Sequence, residues 1–164
     1  MTEHRDAVDR VVAQWRDVAP DLDASPIEII GRVSRLAAIF TEASDALEDA
    51  GLTRHEYEML SALRRTPHPL TAGDLARETS ASGAAVTQRL RLLASHGLIE
   101  RRTDAQDARV ARIHLTDRGR ELLSRVMPQQ LAHERALLEV LPADDLRRLA
   151  DLLSTLLAGL DGRR

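Results

Sequence analysis

Gln88 and Arg91 lie in a stretch, Ser82 to Ser95, that contains two arginines and no acidic residue. On a helical wheel of roughly 100° per residue, Ala84, Gln88, Arg91 and Ser95 share one side. Ala85 and Thr87 flank them, while Val86, Leu90 and Leu93 occupy the opposite side. A carboxamide can donate and accept in a bidentate fashion to adenine, and a guanidinium suits guanine or a phosphate. Small residues let the backbone approach a groove floor, and an alanine or the Thr87 methyl can meet a thymine methyl. Ser80, Ser82 and the free N–H groups at the helix start suit phosphate oxygens. The chemistry on offer is therefore reading of base edges. A solvated surface face would also be polar, but an acid-free one is out of character in a chain with 26 acidic residues.

Arg89 falls at the edge of the apolar side and is expected to point back toward the scaffold. There it is either a surface ion pair, which contributes little, or a cation linking the reading helix to a ligand pocket.

The elements that must position these residues follow from the flanking sequence. Thr71-Ala-Gly-Asp-Leu-Ala-Arg-Glu-Thr79 predicts a short helix, then a tight turn, then the helix Ser82 to Ser95 closed by Gly97. Leu98 to Arg102 predicts a strand, Thr103 to Ala108 a polar tip, and Arg109 to Thr116 a returning strand whose alternation buries one face. Helix, turn, helix and arginine-bearing hairpin make a winged helix-turn-helix, a unit shaped to enter one DNA groove and flank it. The hairpin sets Arg101, Arg102, Arg109 and Arg112 against Glu100, Asp104 and Asp107. Asp107 can hold a guanidinium rigid, so that Arg109 or a neighbour enters a narrow minor groove pre-organised.

Charge distribution agrees. Residues 1–50 hold 5 Arg and 11 acids, a net of −6, whereas residues 80–120 hold 8 Arg and 4 acids, a net of +4. Positive charge is concentrated on the reading unit and depleted elsewhere. The chain has no cysteine, which removes disulfides and thiolate metal sites. The six histidines (4, 55, 68, 96, 114 and 133) include no helical i,i+4 pair, and no glycine-rich phosphate loop is present. Neither a catalytic group, a metal nor a cofactor is therefore expected. No apolar run approaches the ~20 residues of a membrane span, and a soluble cytoplasmic protein is the simplest expectation.

The 164 residues predict one mainly α domain with a small β-hairpin wing, the reading unit at 53–116 lying between dimerisation helices at 1–50 and 117–164. A first helix is expected from about Glu3 to Val18, with Val8, Val11, Val12 and Trp15 on one face. Ser25-Pro26-Ile27-Glu28 predicts a capping box in which Ser25 caps a second helix. That helix is expected to carry Ile30, Val33, Ala37 and Phe40 to about Ala50, with Gly51 closing it. Thr53-Arg-His-Glu56 predicts a further capping box for a helix to Arg65, with Tyr57, Leu60 and Leu63 facing inward. Thr116 is expected to cap a long helix to about Val140, kinked at Pro128, with Leu122, Leu123, Val126 and Leu131 inward. The last helix, after Pro142, carries Leu146, Leu149, Leu153, Leu156 and Leu160, widened by Leu152 and Leu157. That seam is too broad for one neighbour and predicts packing against a second subunit.

The order of these parts resembles the MarR family of bacterial transcription regulators. The specific likeness is Asp107-x-Arg109-x-x-x-Ile113-x-Leu115-Thr116, similar to the family's D-x-R-x-x-x-[VI]-x-L-T wing, preceded by Gly97-Leu98-Ile99-Glu100-Arg101-Arg102. The resemblance implies a homodimer with interlocked terminal helices, bound to double-stranded DNA at a pseudo-palindromic operator. It also implies repression relieved by a small aromatic or anionic effector. Ala108 departs from the pattern, since many relatives carry a second arginine there. A helix bearing Trp15 ahead of the shared core is similar to the urate-responsive branch. That resemblance assigns Trp15, Glu58 and Arg89 to ligand response, with Glu58 standing where the branch usually has Asp. The alternative is a winged helix repurposed for protein–protein interaction without DNA binding, which predicts an apolar or acidic outer face in place of Gln88 and Arg91.

Overall fold

Capping chemistry decides where most of the helices begin. The computed structural model describes residues 6–42, 44–79, 81–104, 107 and 109–161. The chain divides into two compact units, Met1–Ala43 and Ser44–Arg164. In the first, Asp6 is extended and its carboxylate accepts the N–H groups of Val8 and Asp9 at 2.7 and 3.1 Å. Helix α1 (Ala7–Val18) starts there; Glu3, where its start was expected, lies outside the described residues. Helix α2 (Ser25–Thr41) corrects the expected cap. Ala24 is the capping residue, with only a methyl to offer, and the Asp23 carboxylate instead accepts the Ser25 N–H at 3.0 Å. That bond holds the Asp23 carboxyl below its ordinary range.

Val8, Val12 and Ala24 are buried together with Ile27 against them. Gly31 permits the approach, since a Cβ there would stand 3.1 Å from a Val8 methyl. Arg32 on α2 binds Asp6 and Asp9 of α1 at 2.8 and 2.6 Å. Val11, Trp15, Ile30, Val33 and Phe40 all stay exposed, and α2 buries none of its residues.

Helix α2 also ends earlier than expected. Glu42 is extended, and Ser44 starts a separate helix α3 (Asp45–Asp49), its hydroxyl accepting the Leu47 N–H. Gly51 closes α3 rather than α2. At φ +65° it lets Leu52 and Gly51 donate back to the Leu47 and Glu48 carbonyls, the paired bonds of a left-handed helix end.

In the second unit Thr53 and Glu56 cap α4 (Arg54–Arg65), and Thr71 and Asp74 cap α5 (Ala72–Glu78), both as reciprocal boxes. The N–H and hydroxyl of Thr71 hold the Asp74 carboxyl below its usual range. Helix α6 (Gly83–Ser95) begins at the Ser82 cap and ends at Gly97, φ +67°. Strands β1 (Ile99–Thr103) and β2 (Ala111–Leu115) pair antiparallel, Arg101 opposite Ile113 and Arg102 opposite Arg112. β2 begins two residues later than expected because Val110 N–H turns back to Asp107 O. Leu70 adds a bridge to Ile113, the N–H of Ile113 reaching Leu70 O at 2.8 Å.

Helix α7 (Asp117–Leu138) is capped by Thr116 and runs through Pro128. Its inner stripe is Leu123, Val126 and Gln130; Leu131, expected inward, is half-exposed. The spacing of three then four brings Gln130 inward and rotates Leu131 off the stripe. Leu47, Met59, Leu60, Leu75, Leu90, Leu93, Ile113, Leu123 and Val126 form the buried core of these elements, each large side chain contributing about 1.5–3 kcal/mol. Helix α8 (Ala143–Asp161) buries none of its residues.

Candidate nucleic-acid interface

The core that anchors α6 also fixes what it presents. Val86, Leu90 and Leu93 are almost fully buried, so the helix cannot rotate without exposing them. That leaves Ala84, Gln88, Arg91 and Ser95 on the solvent side and Ala85 and Thr87 half-exposed beside them. Among the described residues neither Gln88 nor Arg91 has a hydrogen-bond or ion-pair partner, so both head groups keep their full donor capacity. Thr87 turns its hydroxyl to Gly83 O at 2.8 Å, which leaves its methyl as the outward group. The Ser82 hydroxyl oxygen accepts the Ala85 N–H at 3.3 Å; it serves the helix cap and retains its O–H to donate. Ser80 lies outside the described residues.

On the wing, the four arginines have different situations. Arg109 is 95% exposed, and its Nε stands 3.6 Å from Asp107. Asp107 holds the backbone more closely, its carboxylate accepting the Arg109 N–H at 2.9 Å. The firmly clamped guanidinium is that of Arg112, with Nε on Asp104 at 2.6 Å and Nη1 on Pro69 O at 3.3 Å. Arg102 is paired with Glu100 on its own strand. Arg101 is exposed and has no partner among the described residues. Arg109 is thus the extended cation, and Arg112 braces the hairpin against the segment before α5.

The base of the wing is locked to α7. Thr116 donates its N–H to Leu98 O at 3.1 Å and its hydroxyl to Gly97 O at 2.7 Å. Gly119 lies so close that a Cβ would fall 2.1 Å from Leu98 O. Helix α7 therefore fixes both the end of α6 and the start of β1.

The three residues assigned to ligand response are placed differently. Glu58 lines a cleft of about 510 Å³ walled by α4 and α7 and bounded by the end of α5. There its carboxylate accepts Arg54 Nε at 3.0 Å, and Arg54 Nη1 reaches Glu134 at 2.6 Å. Tyr57, Met127 and Leu131 give the cleft an apolar wall. Arg89 on α6 is half-exposed, without a partner among the described residues, and outside that lining. Trp15 belongs to the other compact unit, where it forms a shallow recess with Gln14 and Val18.

The sequence reading missed the polar chain behind this cleft. Gln130, 1% exposed, accepts the Ser44 hydroxyl at 2.6 Å and donates to Glu134 at 3.0 Å. Ser44, Gln130, Glu134, Arg54 and Glu58 thereby join α3, α7 and α4. A buried amide satisfied on both sides orders its neighbours more than an apolar residue would. The available signals were Ser44 as a helix cap and a glutamine at an apolar-stripe position.

Comparison with known proteins gives a consistent set. A family model described as the MarR family matches residues 50–110. The HTH-type transcriptional regulator PecS of Dickeya dadantii is 30% identical over 89% of this chain and 90% of its own. AbsC, a MarR family transcriptional regulator from Streptomyces coelicolor, shares the fold at TM-score 0.74 and 24% identity, over 86% of this chain and 97% of its own. MepR from S. aureus in its DNA-binding conformation superposes at TM-score 0.66 with 26% identity, over 80% of this chain and 98% of that one.

Proposed function

Because the chain belongs to the MarR family of DNA-binding transcriptional regulators, we propose that it is a ligand-responsive repressor that binds a pseudo-palindromic operator as a homodimer. The observation that carries the DNA reading is the outward face of α6: Ala84, Gln88 and Arg91 stand exposed, the latter two without a partner among the described residues, on a helix whose other side is pinned in the core. In this reading Gln88 and Arg91 address base edges, Ala84, Ala85 and the Thr87 methyl line the groove floor, and Ser80 and Ser82 contact phosphates. Arg109 enters the flanking minor groove, with Asp107, Arg101, Arg102 and Arg112 supporting the wing.

Dimerisation rests on the uncovered apolar faces. Helix α2 exposes Ile29, Ile30, Val33, Leu36, Ile39 and Phe40, and α8 exposes Leu149, Leu152, Leu153, Leu156, Leu157 and Leu160. Six exposed large apolar side chains along one helix are out of place on a lone chain and point to an interface. The homodimer would comprise residues 1–50 and 117–164 as its scaffold and 53–116 as its reading unit.

A small aromatic or anionic effector would act through Trp15, Glu58 and Arg89, of which Glu58 lines the α4–α7 cleft. Engagement of Arg54 by an anion would compete with Glu58 and Glu134 and loosen the chain of bonds to Gln130. The test is titration of the protein onto its operator at several salt concentrations. Arg91→Ala is expected to cost about 1–3 kcal/mol of specific affinity, while Arg89→Ala changes the effector response more than the affinity. Operator affinity unchanged in Arg91→Ala would remove that residue from base reading, and binding indifferent to salt would remove DNA as the partner.

A further inference from the structure

A second recess, of about 270 Å³, opens at the base of the wing, within the same compact unit. Arg64 enters it from the last turn of α4, His68 from the segment before α5, His114 from β2 and Arg120 from the first turn of α7. Buried Ile113 and Leu115 form its apolar side, and Pro67 and Pro69 stiffen its rim. No Asp or Glu among the described residues lines it, whereas the α4–α7 cleft mixes Glu58, Glu78 and Glu134 with Arg54 and Arg65. In a chain with more acids than bases, an acid-free recess holding two arginines is a local feature.

The functional groups offered here are almost all donors. Arg120 is held in place by a bond from Nη1 to Leu115 O at 2.6 Å, with Asp117 on Nη2 outside the recess. Arg64 has no partner among the described residues. His68 and His114 each present a ring N–H in either protonation state. The Thr66 hydroxyl is already committed to Ala62 O at 2.7 Å. A ligand that satisfies this set must be compact, anionic and rich in acceptor oxygens.

We propose that the recess at the wing base binds a phosphate-class oxyanion. The space exceeds that of a bare phosphate and admits a small phosphorylated solute; a DNA backbone phosphate offers the same chemistry. Occupancy would bear on the wing directly. Residues 66–70 are tied to β2 through Ile113 N–H on Leu70 O and Arg112 on Pro69 O. An anion spanning α4, β2 and α7 would thus brace the strand whose Arg112 is clamped to Asp104 near the tip.

The experiment is calorimetric titration of sodium phosphate into the full-length protein at constant ionic strength, with chloride making up the balance. Saturable binding is expected, weakened about tenfold by Arg64→Ala through loss of a charge-assisted contact. Arg118→Ala, which removes an exposed charge from α7 outside the recess, should leave it unchanged. A second arm measures duplex DNA affinity against salt for the same proteins. Saturable phosphate uptake lost in Arg64→Ala with an unchanged salt slope assigns the site to a free anion. A slope smaller by about one in Arg64→Ala alone assigns it to a backbone phosphate. Arg64→Ala indistinguishable from Arg118→Ala in both arms overturns the proposal.

Discussion

A protein carrying Leu153→Glu and Leu156→Glu is expected to sediment as a monomer and to lose about 10²–10⁴-fold in affinity for a two-half-site duplex, the scale of a forfeited bivalent contact. Both leucines lie on the α8 seam with close to half their surface in water, so the exchange disrupts nothing buried inside the chain. Full burial of a leucine contributes about 1.5–3 kcal/mol, and six on α8 with six apolar residues on α2 remain largely unrealised in one chain. Covering them in two copies offsets an association cost of about 4–15 kcal/mol. A glutamate at the centre of that seam has no partner and would be desolvated there. Affinity for a single half-site should change little. A double variant that remains a dimer would place the interface elsewhere.

Gly119→Ala is expected to destabilise the protein by about 3 kcal/mol, the upper part of the overpacking range, and so to lower Tm by about 6–12 °C. The sign is diagnostic, because in an exposed helix interior the same exchange stabilises by about 1 kcal/mol. Here the new Cβ would stand 2.1 Å from the Leu98 carbonyl oxygen and 3.2 Å from a Leu115 methyl. The first turn of α7 would have to move off the wing base, straining the Thr116 bonds to Gly97 and Leu98. Gly83→Ala is the control, since a Cβ at Gly83 meets nothing within 4 Å. Thermal unfolding compares them, and a Gly119→Ala Tm at or above that of the parent would refute the close approach.

The parts of the fold governed by local chemistry were legible in the sequence. The boxes at Thr53/Glu56 and Thr71/Asp74 and the Gly97 helix end each depend on a few neighbouring residues and stand where the pattern put them; the hairpin also forms, with its second strand starting at Ala111 rather than Arg109. The errors arose where two local signals compete. Ser25 resembles a cap, but Asp23 two residues earlier takes its N–H. Ser44 breaks what looked like one long helix because its hydroxyl offers Leu47 N–H a partner. In α7, Leu131 is the more apolar residue, yet the spacing from Leu123 and Val126 brings Gln130 inward, where its carbonyl depends on Ser44, 86 residues away, and its amide on Glu134. The wheel for α6 placed Gln88 and Arg91 outward correctly, since burial of Val86, Leu90 and Leu93 leaves no other rotation. The wing division was not legible: which arginine Asp104 or Asp107 holds depends on turn geometry that charge order does not encode.

That two copies present two α6 faces to a pseudo-palindrome can be checked by selecting duplexes from a random pool with the 164-residue protein. Enrichment of an inverted repeat whose half-site centres lie about 10 bp apart, one helical turn, is expected. Retention of duplexes without an enriched sequence, or enrichment of a single unrepeated half-site, would contradict it.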